Sequence, residues 1–410
     1  MTPRATLLIL LASLVGAPAF AQTATPAPSL LDALAGAPAL AAARQRVTAA
    51  HARVDSAGRL ADPEVEGMVS RANMAGGRAD MWEITVRQPL PKRGERAADR
   101  ERAQAATAMA TADYAMLAGE IAADAALALA EHAGATARIQ LLETQIARLD
   151  AVLQSLQSRL AAGTSTRIAD RLSVQSRLAA LQLMLEQEQR MAADADAMAR
   201  SLLGLPTAAA LPAYAAPTPA DIDPANAPAL QLSTARDTEA FAMAKMARAS
   251  ARPMTAIGLR LEREQTRMGN DDTIGVAFMS EIPWRSRRYA RADLRAAEAE
   301  RAAARADGDA VRFRIAAALS RVERAERLAT SARRLGEDTR ARLGTEYDAL
   351  IRNAGTTGMN ADTSVFMAVD LLEKITETEL QIIQAETAAR SARADLWRYA
   401  PANRLINPEL

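Results

Sequence analysis

The longest regular pattern in the chain is a seam of apolar residues at alternating spacings of three and four: Ile139, Leu142, Ile146, Leu149, Leu153, Leu156 and Leu160. That is the a/d repeat of helices packed side by side. Val174, Leu178, Leu181 and Leu185 answer it beyond Gly163, so the pattern predicts a helical hairpin. No proline lies between Pro91 and Pro206, or between Pro283 and Pro401. An interior proline costs a helix roughly 3 kcal/mol, so two stretches this long predict two very long hairpins. Gly94 to Ala162, if continuous, rises roughly 100 Å at about 1.5 Å per residue.

Before each rod the period changes to two. Trp82, Ile84 and Val86 alternate with Glu83, Thr85 and Arg87. Ile257, Leu259 and Leu261 do the same, as do Ile274, Val276, Phe278 and Ile282. Val65, Gly67 and Val69 form the weakest of the four segments. Turns are expected at Asn73 to Gly77 and at Met268 to Asp272. Strands of about ten residues, apolar on one face, suit either a half-buried soluble sheet or a transmembrane barrel. A barrel must leave no edge in lipid, and four strands fall short of the usual minimum of about eight. If these strands span a membrane, several copies share one barrel.

The chain is written twice. Ala37-Pro38-Ala39-Leu40 recurs as Ala227-Pro228-Ala229-Leu230, and Pro63 recurs as Pro253, both 190 residues on. Pro89 matches Pro283 at 194, and the turn at Gly163 and Thr164 matches Gly355 and Thr356 at 192, as Asp170 matches Asp362. Pro206 matches Pro401 at 195. Anchors so close to one offset mark an internal duplication. The expected organisation is a signal peptide (1–21), a first repeat (22–206), a linker (207–226), a second repeat (227–401) and a tail (402–410). The first repeat holds strands near 63–71 and 80–90 and a hairpin near 94–204; the second holds strands near 255–267 and 273–283 and a hairpin near 286–399.

The leader carries Arg4, an apolar run from Leu7 to Val15 and a small-x-small site at Ala19-Phe20-Ala21. It predicts export with cleavage after Ala21. Composition narrows the function. Aromatics make up 3% of residues, a poor supply for a large enzyme core. A formal charge of +1 leaves no basic footprint for nucleic acid. There is no cysteine, hence no disulfide, thiolate site or lipid-bearing N-terminal Cys.

At this point the chain resembles the TolC-type outer-membrane efflux channels that serve resistance-nodulation-division pumps. The resemblance rests on the doubled Ala-Pro-x-Leu, Asp62-Pro63, and the strand-to-helix run Gln88-Pro89-Leu90-Pro91-Lys92-Arg93-Gly94. Leu202-Leu203-Gly204-Leu205-Pro206 and Glu281-Ile282-Pro283-Trp284 complete it. It implies a mainly α fold with a small β part: a homotrimeric, 12-stranded β-barrel, four strands per chain, continuing into a periplasmic α-helical barrel. The implied partners are outer-membrane lipid, a periplasmic adaptor (membrane fusion) protein and an inner-membrane pump. The implied activity is passive export of toxic metal ions or small molecules, with no cofactor, no resident metal and no enzymatic step. An exported coiled-coil scaffold or adaptor is the rival reading; it accounts for the rods but not for strands ahead of both.

No HExxH, GxSxG or phosphate-binding loop is present. His51 and His132 are expected to be surface or packing residues, and Glu298, Arg301, Arg305 and Glu323, Arg327 to pair along their own helix. The resemblance places the pore constriction at the hairpin tips, making Asp362 and Asp170 the pore candidates and Gly163, Thr164, Gly355 and Thr356 the tip. An Asp at the start of a returning helix also serves as a cap, worth about 1 kcal/mol.

Overall fold

The computed structural model describes residues 29–74, 77–162, 168–266, 269–354 and 361–405. A short helix α1 (Leu30–Ala35) is capped by Ser29, whose hydroxyl accepts from the amide of Asp32 while Asp32 answers the Ser29 amide. Helix α2 (Pro38–Ser56) opens on proline, and α5 (Pro228–Ser250) does the same. That gives the doubled Ala-Pro-Ala-Leu a physical meaning: proline presets the helical φ at a position whose N–H has no partner anyway.

Strands β1 (Glu64–Met74) and β2 (Gly77–Leu90) follow α2; β3 (Met254–Thr266) and β4 (Gly269–Glu281) follow α5. Each pair leads into a rod, α3 (Glu95–Ala161) or α6 (Ser286–Ala354), of 67 and 69 residues. The returning helices are α4 (Ile168–Leu203) and α7 (Ala361–Ala394), of 36 and 34 residues. A 3-10 turn (Asp395–Tyr399) and α8 (Ala402–Leu405) end the described chain.

The returns are about half as long as the outgoing rods. The other half of α3 is covered by α2 and α5, and that of α6 by α5, so each rod is sheathed along its length by shorter helices. Leu142, Leu149 and Leu156, one per heptad, are buried with Val174 and Leu181 of α4, as the seam requires. A second core gathers where α1, α2 and the linker meet the rods, with Leu30, Leu34, Leu40, Leu203, Ile315 and Trp397. Much of the rest is alanine, among them Ala118, Ala122 and Ala126 at 0% exposure, which lets helix axes approach closely.

The strands form one antiparallel sheet in the order β1-β2-β3-β4. The two repeats therefore meet through β2 and β3, with Val86 opposite Leu259 and Ile84 opposite Leu261. The residues expected in the second turn extend β4 instead: Asn270, Asp271 and Asp272 pair with Gln265, Glu264 and Arg263. Two further expectations change. Arg301 and Arg305 reach Asp237 on α5, each at 3.2 Å, rather than Glu298 on their own helix. Arg327 does pair with Glu323, at 3.4 Å.

Candidate transport duct

The register builds two distinct faces on the sheet. Val65, Val86, Leu259 and Val276 form one row across all four strands, and Gly67, Ile84, Leu261 and Ile274 the next. Ile257 and Phe278 continue the same face. It is open: Val69 is 85% exposed, Val276 77% and Phe278 69%. A contiguous apolar face of this kind marks contact with lipid or protein.

The opposite face is polar and tied together by charge. Arg260 bonds Glu83 at 2.9 Å and Glu262 at 2.8 Å, and Arg87 pairs with Glu66 across the strands. Gly258 makes room for Arg87: a Cβ there would lie 2.5 Å from the Val86 carbonyl oxygen and 2.8 Å from Arg87 Cγ. Both ends of the apolar face are bounded. At the hairpin end Arg71 pairs with Asp80, Arg263 pairs with Asp272, and the Arg263 guanidinium lies 5.5 Å from the centroid of the Trp82 ring. At the helix end Ile282, Trp284 and Tyr289 stand exposed. From Ile274 to Ile282 the strand rises about 27 Å, at about 3.4 Å per residue. Among the described residues of the single chain, β1 and β4 each keep one edge without a neighbouring strand.

A strap joins the repeats. The Tyr214 hydroxyl donates to the Arg390 carbonyl at 2.7 Å, Trp397 Nε1 to the Ala215 carbonyl at 3.0 Å, and Arg404 bonds Asp221 at 2.8 Å. Burial pushes the Tyr214 phenol up to about 12. The Thr218 hydroxyl and amide, with Arg404, hold the Asp221 carboxyl down at about 2.

At the far end of the rods, Gly163, Thr164, Gly355 and Thr356 lie outside the described residues. Asp170 is the third residue of α4; its Oδ2 is buried and, among the described residues, has no hydrogen-bond partner. Asp362 is the second residue of α7, and its side chain lies outside the described set. Close by, Arg177 of α4 bonds Glu373 of α7 at 2.8 Å, linking the two hairpins. Sequence reasoning passed over that pair, and also the Arg–Asp pairs of the sheet, although Arg71 and Asp80 recur 192 residues later as Arg263 and Asp272. His132 Nδ1 lies 3.1 Å from the Ala192 carbonyl, and His51 is exposed on α2.

This architecture, a four-stranded sheet with an open apolar face set on helices of nearly seventy residues, is the fold of outer-membrane channels. The outer-membrane channel OprN superposes with a TM-score of 0.68 over 92% of this chain and 90% of its own, at 18% identity. The outer membrane protein VceC of Vibrio cholerae does so at 0.69 over 91% and 95%, with 16% identity. The open state of the Neisseria gonorrhoeae MtrE outer membrane channel gives 0.61 over 92% and 88%, at 15% identity. No protein-family profile and no curated protein matches the chain. The mainly α fold with a small antiparallel sheet is thus the one the sequence predicts.

Proposed function

We propose that the protein is the outer-membrane exit duct of a tripartite efflux pump. Three copies close a 12-stranded barrel in the membrane, with the apolar face toward lipid and the Arg87, Glu83 and Arg260 face toward the lumen. Tilted at 35–45°, an apolar strand length of about 27 Å rises about 19–22 Å, close to the apolar band of about 25 Å in membrane barrels. The rods continue the lumen into the periplasm, where an adaptor and an inner-membrane pump supply cargo and energy. Transport is passive and non-catalytic, and the cargo is toxic metal ions or small molecules. The chain is exported with cleavage after Ala21, and it has no cysteine to carry an N-terminal lipid.

One observation carries this reading: a water-exposed sheet would not present two apolar rows and two bare edges, whereas a shared barrel in lipid requires both. A soluble scaffold leaves that face unexplained. The mass of the detergent-extracted full chain and its conductance in planar bilayers test the proposal. A trimer that forms open channels is expected; a stable soluble monomer overturns it.

A further inference from the structure

Beyond the strap the helices stand in the order α4, α3, α7, α6, each touching the next. With neighbouring axes about 8–10 Å apart, a flat layer would set α4 and α6 about 24–30 Å from one another. One open groove of about 930 Å³ nevertheless takes its walls from all four helices, with Glu188 from α4 and Arg321 from α6. The layer therefore curves, and the groove lies on its concave side. The convex side is closed by other means. Arg340–Glu379, Arg333–Glu386 and Arg393–Glu326 stitch α6 to α7 along one heptad stripe, and the strap reaches α7 there through the Tyr214 bond to the Arg390 carbonyl. At about 100° per residue, that stripe stands opposite Gln384, Ala388 and Ser391, which line the groove.

The floor forms where α3 and α7 come closest. A Cβ on Gly134 would lie 2.4 Å from Thr387 Oγ1, so glycine there lets α7 sink against α3. Leu127, Met191 and Leu380 give the walls apolar surface. Of the five charged side chains in the groove, four neutralise one another: Arg138 pairs with Glu188 at 2.8 Å and Arg321 with Asp395 at 3.3 Å. The fifth is Glu131. It is half-buried, and its carboxylate has no ion pair or hydrogen bond among the described residues.

A single free carboxylate is a poor seat for a bare metal ion, since hard cations take six or more oxygens. Among the described residues no group of three or more His, Cys, Asp or Glu is placed to hold one. The volume instead falls within the range of about 300–1,000 Å³ of small-molecule sites. Resting on the duct reading and narrowing its cargo, we propose that this groove binds a drug-sized organic cation, its charge on Glu131 and its apolar body against Leu127, Met191 and Leu380. The Met191 thioether suits an aromatic body. In the duct the concave side is the lumen, so the site stands on the path of the cargo, near the middle of α3.

Ethidium, a flat fluorescent cation, is the probe, read by anisotropy against the full-length protein in a neutral detergent. Saturable binding is expected, weakened about tenfold in Glu131→Gln by the loss of one charge-assisted contact. Ala388→Phe fills the groove from an exposed position of α7 and is expected to abolish binding. Glu120→Gln, which removes an exposed carboxylate about three turns away on α3, is expected to leave it unchanged. In planar bilayers ethidium is expected to reduce the wild-type current, and about tenfold more is expected to be needed in Glu131→Gln. Absence of saturable binding, or binding equal in wild type, Glu131→Gln and Ala388→Phe, overturns the site; open channels then leave the duct standing. Loss in Ala388→Phe alone makes the groove an apolar pocket and overturns the choice of a cation. Glu131-dependent binding to a chain that conducts no current upholds the groove and overturns the duct.

Discussion

Arg71 reaches across its hairpin to Asp80, with Nε 2.6 Å from Oδ1, and the second repeat builds the same bridge between Arg263 and Asp272. Both pairs stand on the apolar face, where it gives way to the hairpin turns. In the barrel reading they mark the outer boundary of lipid, a position where charge is tolerated, while the rows around Val276 mark its middle.

That difference in depth is measurable. Val276→Arg sets a charge in the band and is expected to cost about 2–4 kcal/mol of stability in lipid. Asp80→Ala breaks an exposed, solvent-screened pair and is expected to cost far less. Equilibrium unfolding from vesicles measures both. Equal costs would remove the membrane boundary from this level of the sheet.

Glycine inside α3 tests how closely the helices pack. A Cβ on Gly119 would lie 2.7 Å from the Trp397 carbonyl oxygen, whereas one on Gly344 of α6 meets nothing within 4 Å. Alanine is the better helix former by up to about 1 kcal/mol, so Gly344→Ala is expected to raise the melting temperature. Gly119→Ala is expected to lower it, since overpacking costs about 1–3 kcal/mol. Thermal scans of the two variants check the signs; a rise in both would show that the 3-10 turn yields freely.

The strap is expected to release at both ends of the pH range. The folded chain holds the Tyr214 proton up to about 12, above the usual tyrosine value of about 10. Its stabilisation is therefore complete below about pH 10 and is lost as pH rises through 12. Asp221, held at about 2, works in the opposite sense. Its contribution is present above about pH 3.9 and lost as pH falls through 2. Trp397 fluorescence, with Trp82 and Trp284 replaced by Phe, reports the strap through its bond to Ala215. Tyr214→Phe is expected to abolish only the alkaline step and Asp221→Asn only the acid one.

The sequence predicts the rods because a heptad seam such as Leu142, Leu149 and Leu156 repeats a local rule many times over. It predicts the faces of the strands for the same reason, period two at Trp82, Ile84 and Val86. Which strand pairs with which is another matter. Alternation places Val86 on a face but says nothing of Leu259 as its neighbour, more than 170 residues away, so the join between β2 and β3 had to come from the structure. The sheathing of α3 by α2 and α5 is hidden likewise, because an alanine stripe looks alike whichever helix covers it. Asp170 and Asp362 were legible only as a repeated position beyond a glycine turn; their partners depend on assembly, which no local pattern encodes.

That position supports the last prediction. In a trimer, Asp362 at the start of α7 would stand three times around one axis, together with Asp170 at the start of α4. A ring of carboxylates favours cations and resists anions. Asp362→Asn is expected to lower the cation preference of the channel in planar bilayers and to leave trimer stability unchanged. Asp362→Ala is expected to lower it equally, with a further loss of about 0.3–1 kcal/mol if the carboxylate serves the free amides of the first turn of α7. Arg177→Ala, which frees Glu373 and loosens α4 from α7, is expected to raise conductance without changing selectivity. Selectivity unaltered in both Asp362 variants, with stability lost only in the alanine one, would make Asp362 a cap and move the constriction elsewhere along the rods.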